Sequence, residues 1–173
     1  MGILANNEWR EGWLDEGFTS FQGALFDEAE QQGYDAFSEG ESFITGLDLD
    51  GVGEPASLPG EDYDDFASYG ASIYGRGEVF FHQLRYIVGD AALRQIMRTH
   101  YDRWKLKHVD EAAFRAVAEE VSGQDLSGFF AQGLHGTALV DYAVGKVNTV
   151  RRAGGGADGR SGGRAVGDGA DWE

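Results

Sequence analysis

Two carboxylates, Asp15 and Glu16, stand in the phrase WLDEGFTSF at residues 13–21, with Arg10 the only basic residue nearby. A Glu in the first turn of a helix gains from the helix dipole, and that is the ordinary account of both acids. Glu16, however, is backed by Trp13, Leu14, Phe18 and Phe21. Such a setting predicts partial burial, and a partly buried carboxylate needs a cation, strong donors or a proton. Asp15 reads as an ordinary helix-start acid.

Other candidates are sparser. The histidines, His82, His100, His108 and His135, form no i, i+4 pair of the kind that grips zinc. Glu78 and His82 share a helix face at that spacing, which reads as a surface pair rather than a ligand pair. No Ser before the Gly-rich tail lies in a G-x-S-x-G setting, and GRGEVF at 75–80 lacks the Lys and spacing of a phosphate-binding loop. Tyr74, in SIYGRGEVFF, reads as a residue just before a helix. Its hydroxyl has two open roles, bonding backbone at the rim of a core or donating to a developing oxyanion.

The elements that position these groups follow from hydrophobic spacing. Leu14, Phe18, Phe21 and Leu25 recur at four, three and four, one face of a helix ending near Gly33. A second helix is expected from Asp35 to Thr45, and the Gly-, Asp- and Pro-rich run at 47–65 reads as a functional or loosely ordered loop. Val79, Phe80, Leu84 and Ile87 mark a helix to Val88, which Gly89-Asp90 stops before the next begins. That next helix buries Leu93, Ile96 and Met97. Asp110 opens another through Phe114, Val117 and Val121, and Asp125 opens a short one through Leu126, Phe129 and Phe130. The whole predicts an all-α, antiparallel helical domain. Residues 138–150 alternate and are rich in Val, which reads as an extended exit segment. A domain over 1–149 is thus expected, followed by a disordered Gly-rich tail at 150–173, where residues 151–173 alone hold eight glycines.

Composition narrows the function classes. The 173 residues contain no cysteine, so any metal must be held by His, Asp or Glu. All of the formal charge of -16 falls within residues 1–70, which carry 17 acids and one Arg. That argues against nucleic acid and anionic membrane, both of which require a basic footprint. No apolar run approaches the length of a membrane span.

With these residues in place, NNEWREGWLDEGFTSF resembles the third-ligand segment of the alanyl-aminopeptidase and leukotriene-A4-hydrolase type of zinc metallopeptidase, a gluzincin family. Its pattern is H-E-x-x-H, then eighteen residues, then Glu inside a W-L-x-E-G-F phrase. The resemblance implies the C-terminal half of a thermolysin-like catalytic domain, with Glu16 as metal ligand and Tyr74 as the oxyanion-stabilising tyrosine. Arg76 stands where the family's Tyr-x-Lys-Gly phrase has lysine, and Gly133 where a Trp is common near FFAQ. The resemblance covers about residues 6–149. A glycyl-aminopeptidase type of the same clan has a similar E-G-F-T-S phrase, but NNE and SGQDLSGFF fit the first type better.

In that register the second histidine falls at the fourth position before Met1, and H-E-x-x-H begins eight positions before it. The sequence therefore lacks two of three zinc ligands, the general-base Glu and the upstream phrase that grips a substrate amino terminus. The resemblance implies zinc and a peptide substrate in the complete domain, with no tight zinc binding and no activity in this chain alone. The alternative is a non-catalytic helical interaction domain that lacks the metal site.

Overall fold

The computed structural model describes residues 4–138. The exit segment from residue 139 onward and the Gly-rich tail lie outside the described residues. Within them the chain is an assembly of helices, as the hydrophobic spacing predicts. A π-helical turn, Trp13–Gly17, runs directly into α1 (Phe18–Glu30), and α2 (Ala36–Leu49) follows. The Asp35 carboxylate accepts a hydrogen bond from the Ser38 N–H at 3.1 Å, so α2 starts where expected. It continues four residues beyond the expected Thr45, to Leu49.

The connection after α2 is better pinned than its composition predicts. Ala56 and Tyr63 are buried in it, and the Tyr63 hydroxyl donates to the Pro55 carbonyl at 2.9 Å. The Gly60 N–H donates to the Trp9 carbonyl at 2.8 Å, and the Ser57 N–H to that of Leu134 at 3.1 Å. These backbone bonds join the loop to both ends of the domain. No local pattern encodes them.

Next, α3 (Phe66–Gly70), a second π-helical turn (Ala71–Arg76) and α4 (Gly77–Val88) form one unbroken helical run. Tyr74 therefore lies inside a helix rather than just before one. Gly89, at φ +83°, takes a conformation that a side chain would strain, and α5 (Asp90–Trp104) starts immediately after it. Then come α6 (Glu111–Ser122), whose cap Asp110 accepts from Ala113 N–H at 2.8 Å, and α7 (Ser127–His135). Among the described residues the one sheet, not expected from the sequence, is a two-residue parallel pair, β1 (Ala5–Asn6) with β2 (His108–Val109). Strands this short carry no alternation for the sequence to display.

Helix α4 is the centre of the packing, with α1 and α2 against it, while α5 pairs with α6. The core is aromatic. Trp13 sits edge-on to Phe80 at 5.4 Å and stacks on Phe81 at 5.8 Å, and Phe81 meets Phe114 edge-on at 5.6 Å. Of the expected stripes, Leu14, Phe21, Phe80, Leu84, Leu93, Ile96, Phe114 and Phe130 are buried, whereas Phe18, Leu25, Met97, Val121 and Phe129 only border the core. Ile87 departs from expectation at 41% exposed, and its neighbour Val88 packs against the core instead. At Gly133 a Cβ would come within 2.9 Å of the Phe80 ring, so that ring takes the space a larger residue would need.

Gly17 and Gly77 meet backbone to backbone. A Cβ on Gly17 would lie 2.7 Å from the Gly77 Cα, and one on Gly77 would lie 2.9 Å from the Gly17 Cα. Both obstacles are backbone, which cannot rotate aside. Gly77→Ala should therefore destabilise the chain by at least about 1–3 kcal/mol, the usual cost of overpacking. Urea unfolding should register it as a lower midpoint, and an unchanged midpoint would contradict the contact.

Candidate active site

The two π-helical turns face each other across the Gly17–Gly77 contact. A π turn accommodates an extra residue and rotates the side chains that follow, a feature common at functional sites. Glu16 belongs to the first turn and Tyr74 to the second, and the contact brings them together. Burial, and then hydrogen bonding of its hydroxyl to the Glu16 carboxylate, pushes the Tyr74 hydroxyl up to about 12. Tyr74 thus carries its proton at neutral pH and is a donor. Glu16 is half-buried, as its apolar neighbours predict.

Tyr69 borders the same place. Burial, followed by the charges of Glu16, Asp15 and Glu8, raises its hydroxyl above the ordinary tyrosine range. No sequence signal singled out Tyr69, because nothing local distinguishes it from a rim aromatic. Arg76 is committed elsewhere. It is buried, it donates from Nε to the Glu54 carbonyl at 2.9 Å, and its two terminal nitrogens fork onto the Asp48 carboxylate. Ser72 Oγ donates to the same Glu54 carbonyl at 2.9 Å. The loop after α2 is thereby fastened to the turn that carries Tyr74.

Asp15 is not the solvated helix-start acid its position predicts. It is only 4% exposed, and neither carboxylate oxygen has a hydrogen-bond partner. Burial, and then the charges of Glu16 and Glu8, pushes it up to about 6. The π turn swings Asp15 inward, which helix-start statistics cannot anticipate. His82 also departs from expectation. It is buried rather than on a surface, between the rings of Phe21 at 4.9 Å and Phe37 at 5.8 Å, with Glu78 3.7 Å away.

The other histidines do not converge on Glu16. His100 is 3% exposed with its Nδ1 unpartnered, and burial alone lowers it to about 4, so it stays neutral. His135 bonds Ser57 Oγ at 2.7 Å and Glu111 at 2.8 Å, and His108 lies exposed on β2. Among the described residues no group of three His, Asp or Glu side chains is arranged to hold a metal ion. A catalytic zinc requires three protein ligands and an open position. The described residues alone therefore do not make a zinc site, and Glu16 is a single carboxylate of the right type beside a donor hydroxyl.

The chain matches the peptidase family M1 domain over residues 2–132, and it belongs to that family. Solved structures similar to it include an M1 zinc metallopeptidase from Deinococcus radiodurans, at 26% identity and a TM-score of 0.61 over 77% of this chain and 29% of that one. A mutant of the Deinococcus radiodurans enzyme bound to a Tyr-Ser-Ala substrate gives the same values. A two-domain M1 zinc metallopeptidase mutant bound to L-arginine is 25% identical, with a TM-score of 0.52 over 66% of this chain and 26% of that one. The chain thus spans less than a third of the length of the structures it matches. No curated protein matches it.

Asp15 and His100 have opposite effects on stability between about pH 4 and 6. Asp15, raised from 3.8 to about 6, binds its proton more tightly folded than unfolded, so its contribution to stability falls as pH rises through that window. His100, lowered from 6.5 to about 4, binds its proton less tightly when folded, so its contribution rises with pH over much the same range. The two largely cancel. Asp15→Asn should stabilise the chain at pH 7 by up to about 3 kcal/mol. Its melting temperature should also rise more steeply from pH 4 to 6 than that of the unsubstituted chain; parallel profiles would contradict the burial of Asp15.

Proposed function

We propose that this chain forms part of the catalytic domain of an aminopeptidase-like zinc metallopeptidase that hydrolyses peptide bonds. The observation that carries this reading is the close crossing, at Gly17 and Gly77, of the two turns that bear Glu16 and Tyr74, in a chain of the M1 family. Glu16 is assigned as one zinc ligand and Tyr74 as the hydroxyl that donates to the oxyanion of the scissile carbonyl. The raised Tyr74 hydroxyl supports a donor role, since it keeps its proton where the substrate needs it.

Two further ligands and a general base are required, and the sequence contains no His-Glu-x-x-His segment to supply them. Zinc in a completed site supplies a water activated near neutral pH. This chain's own part is to hold the metal through Glu16, to orient the substrate carbonyl through Tyr74, and to fix both with the π turns. The substrate is a peptide, in keeping with the Tyr-Ser-Ala complex of the Deinococcus radiodurans relative.

The isolated chain should carry far less than one zinc by elemental analysis and should not hydrolyse aminoacyl p-nitroanilides. Tight binding of one zinc per chain would overturn the conclusion that two ligands are missing. In a form completed by a segment bearing the missing histidines, Glu16→Gln should lose zinc and activity together. In the same form, Tyr74→Phe should keep zinc and lower kcat by about 10²–10³, the scale for losing one oxyanion donor. A Tyr74→Phe protein with undiminished kcat would remove Tyr74 from the mechanism.

A further inference from the structure

Outside the turns that carry Glu16 and Tyr74, three side chains from three parts of the domain form one hydrogen-bonded relay. Ser57 Oγ lies 2.7 Å from His135 Nδ1, and His135 Nε2 lies 2.8 Å from the Glu111 carboxylate. A carboxylate can only accept, so the ring proton sits on Nε2 and Nδ1 offers its lone pair to the Ser57 hydroxyl. The backbone holds all three in place. The Ser57 N–H donates to the Leu134 carbonyl at 3.1 Å, and Ala56 and Leu134, the chain neighbours of Ser57 and His135, are buried. His135 closes α7, and Glu111 opens α6 next to its cap, Asp110. Ser57 is half-buried and the His135 side chain is 50% exposed, so the pair is open to solvent.

We propose that Ser57 is an activated nucleophile that takes the acyl group of small carboxylic esters, with His135 as its general base and Glu111 positioning the ring. A hydroxyl within hydrogen-bond reach of a base, itself oriented by an acid, is the arrangement that activates serine. Geometry defines it rather than a sequence phrase, so Ser57 needs no G-x-S-x-G setting. In the first step Ser57 Oγ bonds to the ester carbonyl carbon while its proton passes to His135 Nδ1. Collapse breaks the bond to the alcohol oxygen, which leaves with that proton. Water then attacks the acyl-Ser57 carbonyl, giving up a proton to Nδ1, and Ser57 Oγ departs and recovers that proton. Ester and water are the only reactants, and carboxylic acid and alcohol the only products. The carboxylates of Asp110 and Glu111 favour neutral or cationic esters over anionic ones.

The chain as it stands would be incubated with p-nitrophenyl acetate in the presence of a zinc chelator, and acylation located by peptide mass mapping. Ser57 should gain one acetyl group far faster in the native chain than in the urea-unfolded chain. A fluorophosphonate should label the same residue and block ester turnover. His135→Ala should slow acylation of Ser57 by about 10²-fold or more, the scale of general-base catalysis. Glu111→Gln keeps the size and a hydrogen bond but can donate to Nε2, which moves the ring proton to Nδ1. It should lower kcat for the ester and leave KM unchanged. Acylation of Ser57 no faster in the native than in the unfolded chain would overturn the proposal, whether or not the variants fold. Undiminished acylation of Ser57 in a folded His135→Ala chain would overturn it too. The chelator removes zinc from the readout and neither Glu16 nor Tyr74 takes part, so the outcome is independent of the functional proposal.

Discussion

The backbone contact between Gly17 and Gly77 is the constraint on which the arrangement depends. Helices carrying ordinary side chains pack with axes about 8–10 Å apart. A crossing at which a single added Cβ would lie 2.7 Å from the opposing Cα allows a much closer approach. At that separation the flanking turns meet, and Glu16 and Tyr74 lie one on each of them. Below the crossing, Trp13 from the first helix inserts among Phe80, Phe81 and Phe114, so the aromatic core holds the contact closed.

The π-helical turns on either side serve the same end. Each shifts the direction of the side chains around it, so Glu16 and Tyr74 converge while hydrophobic residues continue to face the core. One consequence is that Asp15 turns inward, at a cost. A carboxylate with no partner in a largely apolar wall opposes folding when charged, and the protein retains it. The ion pair of Arg76 with Asp48 is the contrasting case, since the guanidinium fork is matched by a carboxylate and the Nε by the Glu54 carbonyl. The pair ties α2 to the turn that bears Tyr74, and the bond to the Glu54 carbonyl anchors the loop that leads into α3 and Tyr69.

Much of this architecture was legible in the residues. The stripe of Phe80 and Leu84, the Asp35 and Asp110 caps and the Gly89 stop each express a local rule, and the starts of α2 and α6 and the end of α4 fall where the rule puts them. The pairing of WLDEGF with IYGRG was legible only as a resemblance, because the two phrases are separated by more than fifty residues. Sequence spacing carries no distance across such a gap. Tyr69, Asp48 and the β1–β2 pair had no local signal, and Asp15 and His82 had misleading ones. Helix-start acids and i, i+4 pairs are exposed on average, and only the neighbouring elements decide otherwise.

The sequence by itself determined the helices, the absence of any thiolate metal site, the acidic character of residues 1–70 and the family phrases around Glu16 and Tyr74. These depend on periodicity, capping and residue type, which act over a few positions. The tertiary structure decided which carboxylate is buried without a partner and which turns cross beside Glu16. Those outcomes depend on how closely two helices can approach, and that distance is set by the glycines of both at once.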